Sequence, residues 1–385
     1  MKKNITIVTG TRAEYGLLKP LISALYSNKN INLQLLVTGM HLSKKHGYTI
    51  NEIEGDGFPI TATVDSHINA DSAVGVSTSI AETIKGFSTL FETLKSDLIM
   101  VLGDRSEIFA VATAATVKGI AIAHIHGGET TEGAYDEAFR HSITKMSHWH
   151  FTSTQVYKKR VIQLGEQPTS VYNVGAIGID SIVSLDLMSR LDFEVAIDFK
   201  LNKQNVLITF HPVTLENKTS KTQFKALLSA LDKLENTTLI FTKPNSDKDG
   251  DIIIQQIDDY VSKHPKKAVA FTSLGQLRYL SALQFMDAVV GNSSSGIVEV
   301  PLFKKATINI GDRQKGRLMP ASVINCAPTE TSISKALETS FSETFLNSIK
   351  NLPNAYGNGT ATQQILEVVL NKPIPSIKKS FFDLN

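Results

Sequence analysis

Short apolar runs of strand length alternate with helix-length segments along the whole chain, and this alternation limits the possible folds more than any other feature. A strand followed by a crossover of helix length pairs in parallel with its predecessor, so the pattern predicts an α/β fold with parallel sheets. Residues 5–8, 33–37, 98–102, 120–125 and 150–152 are the expected strands of a first half. Residues 206–210, 238–241, 268–271, 288–290 and 307–310 are those of a second. At roughly 150 residues per domain, 385 residues suit two domains. The expected division is 1–180, a polar linker at 181–204, then 205–360, with 361–385 packing back as a helix and tail. A faint internal echo supports two similar halves. Gly103 and Lys118 are separated by 15 positions and Gly291 and Lys305 by 14, each pair between a strand and the start of the next.

Composition removes several classes of function. Hydrophobic residues make up 42% and charged residues 20%, which is globular rather than disordered or fibrous. Lys+Arg 39 against Asp+Glu 37 gives +2, no surplus for a nucleic-acid partner. The only cysteine, Cys326, excludes an internal disulfide and argues against a thiolate metal cluster. The longest apolar stretch, 108–125, is interrupted by Lys118 and is a poor membrane span. Residues 5–8 are too few for a secretory core, so a cytoplasmic protein is expected.

Chemistry in such a fold belongs at the carboxyl edge of the sheet, where helix amides face anions. Gly10-Thr11-Arg12-Ala13-Glu14-Tyr15-Gly16 follows the first strand and opens a helix. Arg12 would offer phosphate a fork of donors; the plainer alternative is a surface pair with Glu14. No G-x-G-x-x-G run occurs, so a nicotinamide cofactor is not indicated. Gly291-Asn292-Ser293-Ser294-Ser295-Gly296 lies between a strand and a helix and suits a phosphate nest, with Glu299 placed for a ribose diol. A Ser-rich helix cap is the ordinary alternative. His211 ends the 206–210 strand, where it could donate to a phosphate, shuttle a proton or serve structure alone.

The densest polar cluster runs from Asp104 to His150. Gly103-Asp104-Arg105 ends one strand, and His124-Ile125-His126-Gly127-Gly128-Glu129 ends the next. Asp136-Glu137 and Arg140-His141 follow. Carboxylates and imidazoles at one sheet edge suit acid–base catalysis. They also leave a metal alternative open, with His124 and His126 two residues apart on one strand face, although no metal is expected. His148 and His150 read as packing.

Taken together, these segments and Gly311-Asp-Arg-Gln-Lys-Gly-Arg317 closely resemble the hydrolysing UDP-N-acetylglucosamine 2-epimerases, most of all the bacterial NeuC-type branch of sialic acid biosynthesis. The resemblance covers nearly the whole chain in order. It implies the GT-B architecture, two Rossmann-like domains facing across a cleft, and conversion of UDP-GlcNAc and water to N-acetylmannosamine and UDP without a cofactor. It further implies that Arg12, Arg105, His211, Asn245, Ser293, Ser294, Glu299 and Arg313 meet UDP. Ser295 and Gly296 belong to the same substrate-binding loop. His41, Asp104, Glu129, Asp136 and Arg140 form the sugar-side and catalytic set. One departure stands out: animal relatives and the non-hydrolysing epimerases carry a glutamate where this chain has His126, so a catalytic role cannot be copied onto it, and Glu129 or Asp136 is expected to supply the missing carboxylate. A nucleotide-sugar is the expected partner, and a homodimer or homotetramer the expected assembly.

For that reaction, loss of UDP from C1 makes the C2 proton removable and gives a 2-acetamidoglucal, which water then converts to the manno product. Asp104 is the first candidate for the base and Glu129 the second, with Asp136 handling water. The catalytic residues do not separate UDP-GlcNAc from the UDP-linked 2,4-diacetamido-6-deoxy sugar of the legionaminic acid route. Polar side chains at 41–45 and 130–135 favour plain GlcNAc. A GT-B glycosyltransferase and a non-catalytic nucleotide-sugar sensor are the further alternatives.

Overall fold

The computed structural model describes residues 2–44, 47–66, 72–130, 136–212, 219–244 and 250–384. Two sheets, parallel at every pairing, carry the fold. The first contains β1 (Lys3–Thr9), β2 (Ile31–Thr38), β3 (Ile60–Val64), β4 (Leu98–Leu102), β5 (Ala121–Ile125), β6 (Trp149–Thr152) and β7 (Val171–Asn173), in the order β3-β2-β1-β4-β5-β6-β7. The second contains β8 (Gln204–Thr209), β9 (Thr237–Thr242), β10 (Ala268–Phe271), β11 (Ala288–Gly291), β12 (Ala306–Ile310) and β13 (Val323–Cys326), ordered β10-β9-β8-β11-β12-β13. Both orders reverse direction at their first strand, at β1/β4 and β8/β11. That is the switch point where doubly wound sheets bind ligands. The internal echo falls on β4–β5 and β11–β12, which occupy equivalent places in the two sheets.

Helices cover both faces of the first sheet, which is why its central strands read as unbroken apolar runs. Leu98, Met100 and Leu102 of β4 pack on one face with the first helix, Arg12–Tyr26. Ile99 and Val101 pack on the other with Ile108, Val111 and Ala115 of the helix Ser106–Lys118. In the second sheet Val206, Ile208, Leu239, Phe241 and Val290 pack on Phe224, Leu227, Ile253 and Ile333.

The chain divides into two compact units, residues 1–183 with 356–385, and residues 184–355. The segment expected as a linker is therefore structured. Its helix Arg190–Ile197 buries Phe193 against Phe285, ring centroids 5.9 Å apart, and Met188 N–H donates to Ser281 Oγ. The return to the first unit begins at Tyr356, whose carbonyl accepts from Ala176 N–H at 2.7 Å. Asp180 caps the helix Ala361–Asn371 by accepting from the Ala361 and Thr362 amides. Lys3 Nζ caps its other end at Val369 O, 2.6 Å, and Lys372 O, 2.8 Å.

The tail beyond that helix is held by a buried carboxylate. Glu166 accepts from Lys379 Nζ at 2.8 and 3.0 Å, Lys145 Nζ at 2.5 Å and His150 Nε2 at 3.1 Å. Lys145 also lies over the Phe381 ring, and Phe382 N–H donates to Gly165 O. No helix among the described residues is long and apolar enough to cross a membrane.

Candidate active site

In the first unit the polar residues collect beyond β1, β4 and β5. The first helix begins with Thr11, whose hydroxyl accepts from Glu14 N–H. Glu14 Oε2 in turn accepts from Gly10 N–H at 2.8 Å, a capping box that reaches one residue further back than usual. Arg12 is exposed and pairs with Glu52 at 3.0 Å rather than with Glu14. An exposed pair of this kind contributes about 1 kcal/mol at most, so an anionic ligand can replace it.

Beyond β4, the Arg105 Nε donates to Glu107 Oε1 at 2.7 Å and Asp104 Oδ2 is bound by Arg140 Nη2. Arg140 is buried and organises the cluster: its Nη1 donates to His126 O at 2.8 Å and lies 4.0 Å from Glu129 Oε2. Ser153 Oγ donates to Glu129 Oε1 at 2.7 Å, and His126 Nδ1 lies 3.3 Å from the same oxygen. Because His126 Nε2 accepts from Ile177 N–H at 3.2 Å, the neutral ring carries its proton on Nδ1, aimed at Glu129. Asp136 opens the helix Asp136–Met146, and burial pushes its carboxyl up, with the charge of Asp104 adding to the effect. Asp104, Glu129, His126 and Arg140 thus form one connected network, electrostatically coupled to Asp136 and Arg105.

Three expectations change in this unit. His41 is fully buried, with Nε2 3.1 Å from Thr9 Oγ1 and Nδ1 2.8 Å from Thr49 Oγ1. Both nitrogens are engaged, and burial lowers the ring to about 4, so this neutral histidine ties β1 to the loop at Thr49 rather than facing a sugar. His124 is equally committed, to Gly103 O at 2.7 Å and Thr144 Oγ1 at 3.1 Å. Nor do His124 and His126 share a face: β5 ends at Ile125, and His126 has φ 65, which turns it out of the strand. The pair is not arranged to hold an ion.

In the second unit β8 and β11 are tied together beyond their ends. His211 N–H donates to Asn292 Oδ1 and Asn292 Nδ2 donates to His211 O, both at 2.8 Å. Gly291 has φ 143, and a Cβ there would lie 1.9 Å from Thr209 O, so only glycine permits this approach. Asn292 O accepts from Arg313 Nη1 at 3.0 Å and Gln314 Nε2 at 2.8 Å, which fixes the 311–317 loop beside Ser293 and Ser294. Ser295 is committed inward between Tyr279 OH, at 2.6 Å, and Glu299 Oε2. Burial raises the Glu299 carboxyl, an effect that the Ser295 bond opposes. Gly296 is packed under Thr307, which donates to its carbonyl at 2.7 Å. Ser293 Oγ accepts from Ser295 N–H at 3.4 Å and keeps its own hydrogen to donate.

The helix expected after Gly296 is shorter than the sequence suggested. One turn, Ser295–Val298, gives way to a 3-10 turn, Val300–Phe303, containing Pro301. Loop amides and hydroxyls, not a long helix dipole, are the donors here. Asn245, Lys45 and Thr131–Tyr135 lie outside the described residues. Ser153, Glu107 and Tyr279 hold the candidate residues in place without any signal in the sequence. Only the Thr11/Glu14 capping-box spacing gave a readable signal of such support.

A family model described as UDP-N-acetylglucosamine 2-epimerase matches residues 23–370. The chain is 43% identical over 324 residues, 84% of each protein, to a Campylobacter jejuni protein named GDP/UDP-N,N'-diacetylbacillosamine 2-epimerase (hydrolyzing). It is 40% identical over 385 residues, 99% of this chain and 98% of the relative, to polysialic acid biosynthesis protein P7 of Escherichia coli. Its fold is similar to that of the UDP-GlcNAc 2-epimerase from Neisseria meningitidis crystallised with UDP-GlcNAc, with TM-score 0.81, 19% identity and coverage of 96% and 100% of the two chains. The paired Rossmann-type sheets are those of the GT-B class, and the chain belongs to the UDP-N-acetylglucosamine 2-epimerase family.

Proposed function

We propose that this protein is a hydrolysing 2-epimerase that converts UDP-GlcNAc and water to N-acetylmannosamine and UDP, supplying sialic acid biosynthesis. The observation that carries the reading is the family match over residues 23–370. The polar network of the first unit supplies the mechanism. In the second unit Ser293, Ser294, His211, Glu299 and Arg313, with Asn245, hold the uridine diphosphate. In the first, Arg12 and Arg105 meet the charge that develops on the departing phosphate. That departure acidifies C2–H, and a carboxylate removes the proton to leave the 2-acetamidoglucal.

The geometry favours Asp136 over Asp104 as that base. The Asp104 Oδ2 is occupied by Arg140, whereas Asp136 has the raised proton affinity a base needs. Asp104 and Arg140 then orient the sugar. The Nδ1–H of His126, backed by Glu129, delivers a proton to the opposite face of C2 while water adds at C1; the proton that this water releases restores the His126 ring, and Asp136 gives the proton taken from C2 to solvent.

The Campylobacter jejuni relative, at 43% identity, favours a second reading in which the substrate is the UDP-linked diacetamido sugar. His41 faces inward and does not line the sugar, whereas Ser43 and Lys44 remain polar groups that suit plain GlcNAc. Incubation with UDP-GlcNAc alone, followed by NMR of the sugar, tests the main reading. N-acetylmannosamine with UDP supports it; a requirement for an acceptor, or no turnover, refutes it. A tenfold or greater kcat/KM preference for the diacetamido substrate selects the second reading. We also propose a cytoplasmic homodimer or homotetramer, tested by cell fractionation and sedimentation.

A further inference from the structure

Beside the loop Gly10–Thr11–Arg12 two buried carboxylates both lie against Gly10. Glu14 is buried, and while its Oε2 accepts from Gly10 N–H, its Oε1 has no hydrogen-bond partner among the described residues. Glu107, also buried, lies against the same residue: a Cβ on Gly10 would sit 2.7 Å from Glu107 Cγ and 2.8 Å from its Oε1. The cation facing both is Arg105, bound to Glu107 Oε1 at 2.7 Å. The nearby His41 ring is neutral, with both nitrogens engaged by threonines, and Asp136 adds negative rather than positive charge. Ser106 Oγ gives Glu107 Oε2 a hydroxyl donor, but nothing comparable among the described residues reaches Glu14 Oε1. An unpartnered oxygen of a buried carboxylate is costly; the same oxygen bearing a proton is not.

We propose that Glu14 and Glu107 hold one proton between them, carried on Glu14 Oε1, and that it leaves Arg105 with positive charge to offer an anionic ligand. This consequence rests on the reading above, in which Arg105 meets a diphosphate. Glu14 is a positioning residue, acting through Gly10 and Arg105 without touching the ligand. The electrostatics agree with the geometry: burial first, and Glu107 second, push the Glu14 carboxyl up to about 8. Loss of the proton above that pH places two negative charges beside one guanidinium and weakens its hold on the ligand.

The test uses the full chain and UDP as the probe, with the dissociation constant measured from pH 7 to 9.5 and each protein normalised to its own value at pH 7. The wild type is expected to weaken about tenfold across this range, and Glu14→Gln, which fixes the neutral form, less than twofold. Equal weakening in both overturns the proposal. A second measurement needs neither a variant nor a ligand: side-chain carboxyl carbon NMR of the labelled wild type. A Glu14 titration close to pH 8 supports the shared proton, and one in the ordinary carboxylate range overturns it. Failure to bind UDP at any pH overturns the proposed function and the binding consequence, while the NMR titration still decides the proton.

Discussion

Replacing Glu166 by glutamine should cost the first unit about 2–3 kcal/mol at neutral pH. The Glu166 side chain is 3% exposed and serves Lys145, Lys379 and His150 at once. Burial alone would raise its carboxyl, but the bonds from His150, Lys145 and Lys379 outweigh that and hold it at about 2, against 4.5 ordinarily. Taken whole, that difference corresponds to about 3 kcal/mol. Burial keeps His150 below its own ordinary value, so at neutral pH it donates as a neutral ring and the lysines alone balance the charge. This trims the figure, as does the partial exposure of both lysines, which can rehydrate once unpaired. The sign follows from the depressed value: the stabilisation is complete above pH 4.5 and disappears as pH falls towards 2. Calorimetry should show the first unit of Glu166→Gln melting about 5–10 °C lower at pH 7, with the gap closing towards pH 2. A drop under 1 °C at pH 7, or a gap as wide at pH 2, would refute the reasoning. Trypsin should also cut faster at Lys378 and Lys379 in the variant.

The other predictions concern the reaction. Asp136→Asn should lose roughly 10²–10⁴-fold in turnover while still binding UDP; retention of half the activity removes Asp136 from the mechanism. Because burial and Asp104 raise its carboxyl, the acid limb of kcat should lie above 3.8 in the wild type and vanish with that substitution. Product formed in D₂O should carry deuterium at C2, and full protium there would indicate internal transfer or hydride chemistry instead. Activity should survive exhaustive EDTA treatment without added NAD; loss reversed by one divalent ion would contradict the mechanism.

The central strands were legible because burial on both faces leaves an unbroken apolar run, as in Leu98-Ile-Met-Val-Leu102. The three strands without a sequence signal, β3, β7 and β13, all lie at sheet edges. There one side lacks a partner, strands shorten to three to five residues, and polar positions are tolerated. The site divides in a similar way. Asp104, Glu129, Asp136 and Arg140 were readable because strand ends in a parallel sheet converge. Which way a side chain turns was not. His41 and His126 are both histidines just beyond strands, yet one is sealed between two threonines and the other is turned outward by a left-handed backbone. The 181–204 segment looked like a linker because a two-turn helix with a single buried aromatic face has too few apolar positions to establish a period.

Because the chain leaves the first unit at Val183 and re-enters it at Tyr356, residues 184–355 are an insertion within that unit. The exit and re-entry points lie side by side there: Gly175 touches Gly357, and a Cβ on Gly359 would meet Val183. On the ribosome, the first unit waits for the entire insertion to be synthesised before the helix Ala361–Asn371 arrives to close its core with Ala361, Ile365 and Val369. A polypeptide stalled or truncated before residue 361 leaves that apolar seam open, a natural target for chaperones and proteases. The short gap between the two crossings also makes residues 184–355 removable by a brief loop, yielding the first unit as an independent polypeptide.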